Sequence, residues 1–258
     1  MSDWGKGVNN DIGWGQGGTN DIGYGSIYAV SNSGLTLLLK DNTAFIIEVK
    51  TDNAGTSNDN QFQFTGAEGD YDVVAKQNDI VVATFNDLSN QETITFANGA
   101  GTYVLEIRPK STNGFNRIRF NNTGDKDKIT DLKQYGTTVW STFYQSFWNC
   151  GNMIHSATDS PNLSICTDFY RMFRQTAANP NMENWDVSGI TRMDEMFTFN
   201  SAFSTENLTK AYIGWAQLTL QQNVTFDAGN AKYESTAVSS RNTLINTYNW
   251  TISDGGQV

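Results

Sequence analysis

Residues 184–197, NWDVSGITRMDEMF, decide the fold because their spacing recurs in the chain before them. Residues 187–197 align without gaps on residues 163–173, LSICTDFYRMF, at an offset of 24 residues. Residues 140–147, WSTFYQSF, form a third copy, which is offset by 26 residues and places Trp140 over Cys166. A period of 24 to 26 residues lies in the range of leucine-rich repeats, in which neighbouring units must stack to close a core. The spacing therefore predicts a short solenoid.

Matching apolar positions of the three copies define the predicted repeat core. Within a copy they recur at i, i+3, i+6 and i+7, a pattern that predicts a short helix with Thr191 as its N-cap. A hydrophobic binding groove is the alternative interpretation of the Met and Phe stripe. We expect residues from Leu208 to the end to form a degenerate cap. The predicted core residues are Trp140, Phe143, Phe147, Phe169, Met172, Phe173, Trp185, Met193, Met196 and Phe197.

Residues 33–124 have the pattern of a β-sandwich. Short runs of β-branched and aromatic residues alternate with polar ones and are separated by Asn, Asp and Gly every 8 to 12 residues or so. The predicted strands are Leu35–Leu39, Ala44–Lys50, Gln61–Thr65, Tyr71–Ala75, Ile80–Phe85, Glu92–Phe96, Thr102–Ile107 and Arg117–Asn121. The fold class is therefore mainly β, with the repeat domain over residues 125–258.

Residues 1–32 form a Gly- and Trp-rich arm that repeats every ten residues. The arm has too few apolar residues for a core of its own. Trp4, Trp14 and Tyr24 are equally spaced and would act as anchors, because each ring buries a large area with few rotatable bonds. We expect residues 1–28 to dock on other proteins of an assembly; a disordered linker is the alternative.

The motif at residues 184–197 resembles the BspA-like repeat family, also described as DUF285, and the resemblance extends over roughly residues 115–258. Members of that family occur on bacterial surfaces and in bacteriophage virions, commonly behind a PKD-like or immunoglobulin-like sandwich. The Trp-Gly-Asp-Gly turn typical of PKD domains is absent here, where Val74–Asp79 takes its place. The N-terminal decapeptides are similar to arms of structural proteins from tailed phages that infect Bacteroidetes.

Composition and charge exclude several classes of partner. The formal net charge is −10 and the sequence pI is about 4.5, which disfavours binding to nucleic acid. We expect no membrane insertion, because no stretch approaches the roughly 20 apolar residues of a spanning helix. The first residues lack the pattern of a secretion signal. Together with the resemblance, this predicts assembly in the host cytoplasm and localisation in the virion.

Candidate chemical groups are few, and we expect neither catalysis, nor a metal, nor a cofactor. His155 is the only histidine and is not accompanied by a nucleophile motif, so a structural role is favoured. We interpret Cys150 and Cys166 as buried free thiols, with a disulfide as the alternative. Carboxylate pairs such as Asp194 with Glu195 lack the further oxygen ligands of a calcium site.

These observations predict a bacteriophage virion structural protein, associated with the capsid, the tail or a fibre. The arm would hold the chain in the particle, as a homo-oligomer, and the two further domains would face outward, with host attachment to a glycan or receptor as an additional role. The alternative is a bacterial cell-surface adhesin or carbohydrate-binding protein. A glycan-degrading enzyme would need a carboxylate pair in a cleft, and the sequence shows no motif for one.

Overall fold

A computed structural model describes residues 41–111 and 114–258, and the chain is mainly β, as predicted. The predicted arm, with Trp4, Trp14 and Tyr24, and the predicted strand Leu35–Leu39 lie outside the described residues. The strands are β1 (Phe45–Lys50), β2 (Gln61–Gln63), β3 (Asp70–Gln77), β4 (Ile80–Ser89), β5 (Thr93–Thr95), β6 (Thr102–Pro109), β7 (Ile129–Gln134), β8 (Ile154–His155), β9 (Thr225–Asp227) and β10 (Thr251–Ser253). The α-helices are α1 (Thr205–Trp215) and α2 (Val238–Tyr248).

Six strands form one sheet in the order β4-β3-β6-β1-β7-β8. All neighbours are antiparallel except β7 and β8, which are parallel. Alternation decides which face is buried: Tyr103, Leu105 and Ile107 of β6 are fully buried, whereas Arg108 is not. Six of the eight predicted strands overlap an observed strand.

A second layer covers the buried face of this sheet. β2 and β5 form an antiparallel ribbon whose Phe62 and Ile94 are buried, as are Phe64 and Phe96, which directly follow the two strands. Phe96 stacks on Tyr103 with 3.9 Å between ring centroids, which joins the ribbon to β6. Aromatic packing between the two layers therefore supplies much of the core in this part of the chain.

The sheet extends across the predicted boundary between residues 124 and 125. β7 follows that boundary, yet it pairs with β1, and residues 42–258 form one compact unit. A buried ion pair anchors the chain just before β7. Asp125 accepts hydrogen bonds from the backbone amides of Ser57 (3.0 Å) and Gln63 (2.7 Å), and Lys128 donates to three backbone carbonyls of residues 57–61.

The three sequence copies lie side by side and are joined by backbone hydrogen bonds. The amide of Phe143 donates to the carbonyl of Asp168 (2.9 Å), and that of Phe169 donates to Arg192 (2.8 Å). Four residues further along, Phe147 donates to Met172 (3.1 Å) and Phe173 to Met196 (3.0 Å). Matching positions of the copies are therefore neighbours in space, and we call this arrangement the repeat stack.

The predicted helices within the repeats do not form, and this prediction was wrong. Each copy is a series of turns in which residues such as Gln145, Arg171 and Glu195 adopt left-handed backbone angles (φ 56°, 55° and 55°). These angles stop an α-helix, and alternate amides donate to the next copy instead of to the fourth residue back. Thr191 does not cap a helix: its amide and its hydroxyl both bond to the carbonyl of Thr167.

The predicted strand Arg117–Asn121 was also wrong, because this segment joins the repeat stack instead of a sheet. Only an isolated bridge pairs Arg117 with Glu68, while the amide of Phe120 donates to Ser146 of the first copy (3.0 Å). At the other end, Phe197 donates to Asp227 of β9, and β9 pairs in parallel with β10. The stack therefore runs from residue 117 to the C-terminal region.

The helices α1 and α2 follow the last copy. Ser204 caps α1 by accepting from the amide of Asn207 (3.2 Å). Trp215 of α1 is fully buried and contacts Phe226 of β9 at 5.2 Å. Of the helices in the described part of the chain, none has the length and apolar character of a membrane span.

Candidate binding face

The ten predicted core residues of the repeats all lie inside, each at most 1 % exposed. Two columns of rings run through the stack. Phe143 packs on Phe169 at 5.7 Å, and Phe173 packs on both Phe147 (5.9 Å) and Phe197 (5.5 Å). No predicted core residue forms a surface, so these side chains hold the stack together, and the outward surface of the stack is formed by the residues between them.

Trp140 and Trp185 connect the repeat stack to the sheet. Trp140 contacts Phe45 of β1 at 4.9 Å, edge to face. Trp185 contacts Tyr135, which directly follows β7, at 5.4 Å. These contacts make one continuous hydrophobic core, which gives the surface of the stack a rigid support.

The outward side chains of residues 142–149, 168–175 and 192–199 form a surface that we call the repeat face. Its members also stand in columns, such as Tyr144 beside Tyr170, and Trp148 beside Arg174. Sequence analysis missed this face because the residue types differ from copy to copy. The repeated Tyr at positions 144 and 170 was the one available signal.

Arginine side chains lie over the tyrosine rings of the repeat face. The ring centroids of Tyr144 and Tyr170 are 5.4 Å apart. The guanidinium of Arg192 is 3.7 Å from the ring of Tyr170, and that of Arg119, from the segment before the first copy, is 4.9 Å from Tyr144. Such contacts hold each guanidinium in one orientation, which lowers the entropy cost of using it to bind a partner.

Acidic groups balance most of these arginines. Glu195 accepts two hydrogen bonds from Arg171 (2.8 and 3.1 Å) and one from Arg174, and Arg192 bonds to Asp194 at 2.7 Å. Burial, followed by the neighbouring charge of Arg171, lowers the pKa of Arg174. Desolvation raises the pKa of Asp168. The face is therefore a network of paired charges rather than a single-sign patch.

Two aromatic side chains lie near the C-terminal ends of the first and last segments of the repeat face. The indole of Trp148 donates to Gln175 (3.0 Å) and lies 4.6 Å from the guanidinium of Arg171. Phe199 is 72 % exposed and has a left-handed backbone with φ of 59°, and Arg174 is its cation–π partner at 5.2 Å. A bulky, exposed residue in this strained conformation marks a candidate functional position.

The remaining candidate groups have the surroundings of structural residues. His155 Nε2 lies 3.0 Å from the hydroxyl of Tyr135, and burial lowers the pKa of His155 to about 4, so the ring is neutral near pH 7. Cys150 and Cys166 are free and buried, and desolvation raises both of their pKa values. Within residues 41–111 and 114–258, no three His, Cys, Asp or Glu side chains are grouped as metal ligands would be.

Comparison with known proteins gives a family for the repeat stack. Residues 137–249 match DUF285. The family is described as a Mycoplasma protein of unknown function, and the match confirms the BspA-like resemblance over these residues. No curated protein and no solved structure matches the chain. The DUF285 match covers all three copies and leaves the six-stranded sheet, apart from β8, outside.

Proposed function

We propose that this chain is a bacteriophage virion structural protein that uses its repeat face for attachment to the host. The observation that carries this proposal is the row of oriented arginines and aromatic rings on a rigid stack. Trp, Tyr and Arg are the residue types most enriched at energetic centres of binding interfaces. Because the rings and guanidinium groups are already ordered, a partner would bind with a small entropy cost.

In this proposal the two parts of the compact unit are specific versions of the mainly β class. The sheet and the β2–β5 ribbon are a sandwich of immunoglobulin or PKD type, which the layer of Phe62, Phe64 and Phe96 on the sheet supports. The repeat stack is a short leucine-rich-type solenoid, which the offset of 24 to 26 residues between hydrogen-bonded neighbours supports.

The N-terminal arm, residues 1–28, holds the protein in the particle in this proposal. The support is the ten-residue period with aromatic anchors at Trp4, Trp14 and Tyr24. Several copies would be incorporated as a homo-oligomer around a symmetric part of the virion, and the protein would reach the outside by host lysis.

Purified particles test both parts of the proposal. Mass spectrometry should find the chain in stoichiometric amounts, and removal of residues 1–28 should abolish incorporation while circular dichroism of the purified remainder stays unchanged. Full occupancy without the arm contradicts the docking role. Antibody fragments against the repeat face should block adsorption of particles to host cells, and undiminished adsorption would remove the attachment role.

A bacterial cell-surface adhesin or carbohydrate-binding protein is the second candidate. The match to a family described from Mycoplasma, a cellular organism, favours it. Immunogold labelling separates the two: label on particles supports the virion protein, and label on uninfected cells supports the adhesin.

In either setting we propose that the protein binds and does not catalyse. Incubation with host surface polysaccharide should leave the length distribution of the polymer unchanged. Steady depolymerisation that is lost on substitution of one Asp or Glu would place the protein among the enzymes instead.

A further inference from the structure

A polar groove lies beside the repeat face, at the end of the stack where the chain enters it. Its volume is about 510 Å³, and it is bounded by the turns after β2 and β4 and by residues 117–123. Its side chains are mostly amides, hydroxyls and guanidinium groups, including Asn90, Gln91, Asn121, Arg117 and Arg119. A groove lined mainly by polar side chains does not suit a large apolar anchor of a protein partner.

Hydrogen-bond donors predominate in this groove. The side-chain oxygens of Asn90 and Gln91 accept from the backbone amides of Gly69 (3.2 Å) and Gly66 (3.0 Å). These hydrogen bonds use only the oxygen of each carboxamide, and its NH₂ group remains available as a donor. In the part of the chain that the structure describes, neither NH₂ group has an acceptor. A ligand that fits must bring oxygen acceptors of its own.

Arg119 is the unbalanced cation of the region. It donates to Gln145 (2.6 Å) and stacks on Tyr144, but among the described residues it has no carboxylate partner. Arg171, Arg174 and Arg192 of the repeat face each pair with an acid. Arg117 pairs with Glu68, so the one acid that lines the groove is neutralised. The Nε atoms of Arg117 and Arg119 are covered and have no acceptor.

We propose that this groove binds an anionic sugar of a host surface glycan, with Arg119 receiving a carboxylate and the amides of Asn90 and Gln91 receiving ring hydroxyls. Guanidinium binds a carboxylate through two parallel hydrogen bonds, which fixes orientation as well as charge. The net charge of the whole chain does not prevent this, because salt screens charges beyond about 8 Å at physiological ionic strength. The inference names the ligand class of the proposed attachment function and rests on it.

The test uses the full chain and monosaccharide probes, with binding followed by NMR at millimolar ligand. The probes are glucuronate, galacturonate and N-acetylneuraminate, with glucose and galactose as neutral counterparts, and glucose 6-sulfate and a tetraglutamate peptide as other anions. At least one carboxylated sugar should shift the side-chain signals of Asn90 and Arg119, and its neutral counterpart should bind at least about tenfold more weakly.

Two variants identify the groove as the site. Arg119→Gln should weaken binding at least about tenfold, whereas Lys232→Gln, which removes an exposed cation at the other end of the stack, should not. Asn90→Asp keeps the acceptor for Gly69 and adds a negative charge, so it should weaken binding without affecting the fold. Thermal unfolding of each variant checks that the fold is retained.

Four results would overturn the inference: no shift with any carboxylated sugar, equal binding of neutral sugars, preference for the sulfated sugar, or Arg119-dependent binding of the peptide alone. The proposed function fails separately. Particles that carry Arg119→Gln and adsorb normally, while antibody against the repeat face still blocks adsorption, would refute the sugar site and leave attachment standing.

Discussion

The six-stranded sheet and the repeat stack both bury apolar side chains, but their buried residues recur with different periods. In the sheet, alternate residues are buried, as in Tyr103, Leu105 and Ile107. In the stack, the unit is a whole copy: Phe143, Phe169 and Met193 occupy one column although they are more than 20 residues apart. The sheet varies its surface residue by residue, whereas the stack varies a complete row of outward side chains with each copy. A row of arginines and rings can therefore change without disturbing the core.

The largest expected effect comes from a substitution that removes a ring from one column of the stack. Phe197→Ala removes a fully buried ring that contacts Phe173 at 5.5 Å and Phe203 at 4.0 Å. The free energy of unfolding should fall by about 3 to 5 kcal/mol, as for other buried aromatics. Hydrogen exchange should accelerate in the neighbouring copies before it does in β3 and β6, because the ring contacts of Phe197 are within the stack and not with these strands. An unchanged melting temperature would contradict the stack.

The next effect concerns the buried ion pair of Asp125 and Lys128 just before β7. Asp125→Asn leaves Lys128 with its ammonium buried and without an anion, since both side chains are fully covered. Burial also lowers the pKa of Lys128. We expect the free energy of unfolding to fall by about 3 kcal/mol in urea denaturation.

Asp127→Asn is the matched control for this variant, because Asp127 forms a pair with Lys126 that is only partly buried. Its loss should cost no more than about 1 kcal/mol. Equal effects of the two variants would show that the buried pair does not anchor the segment before β7 to residues 57–63.

His155 gives a smaller, pH-dependent effect on stability at β8, one of the two edge strands of the sheet. As the pH falls, the imidazole of the unfolded chain takes up a proton near pH 6.5, whereas in the folded protein it stays neutral to about pH 4. The unfolded state therefore binds more protons in this window, and stability falls as the pH is lowered through it. Partial exposure limits the total to roughly 1 to 3 kcal/mol.

His155→Gln should remove this contribution while the carboxylates keep theirs. The measurement is the free energy of unfolding of both proteins between pH 7 and pH 4 in urea, in steps of about half a unit. Parallel curves over that window would refute the role of His155.

How much could be predicted from the sequence also differs between the regions. Phe169 and Phe173 could be assigned to the core because identical or similar residues recur at the same place in each copy. The turns could not be foreseen, since Arg171 and Glu195 are not residues that normally indicate a left-handed backbone. The same apolar spacing fits a helix and a series of turns.

Contacts that depend on tertiary packing could not be predicted from the sequence either. Residues 129–134 were included in the repeat domain and not predicted as a strand, because they lack clean alternation; their pairing with β1 is also interrupted by register shifts. The groove at Arg119 combines residues from segments that are up to about 50 positions apart, and no local pattern connects them. The columns of the core could be recognised by repetition, whereas the outward residues of the repeat face differ from copy to copy.

The smallest expected effect is the change in the free energy of unfolding at Phe199. Its sign distinguishes a functional residue from a structural one. Phe199 is exposed and has a left-handed backbone, which costs a residue with a side chain about 1 kcal/mol or more. Phe199→Gly should leave the free energy of unfolding unchanged or raise it by up to about 1 kcal/mol, because glycine adopts this conformation without strain. Ile165→Gly is the control, since Ile165 is similarly exposed at an ordinary φ and should lose about 1 kcal/mol.

If Phe199 belongs to the attachment surface, the same substitution should reduce adsorption of particles to host cells while Ile165→Gly leaves adsorption unchanged. Stability retained or gained together with binding lost is the expected signature of a strained functional residue. A clear loss of stability in Phe199→Gly would instead mean that the contact with Arg174 stabilises the stack by more than the strain costs. In that case the exposed ring would be a structural part of the repeat face, and the variation between copies would have to serve packing rather than recognition.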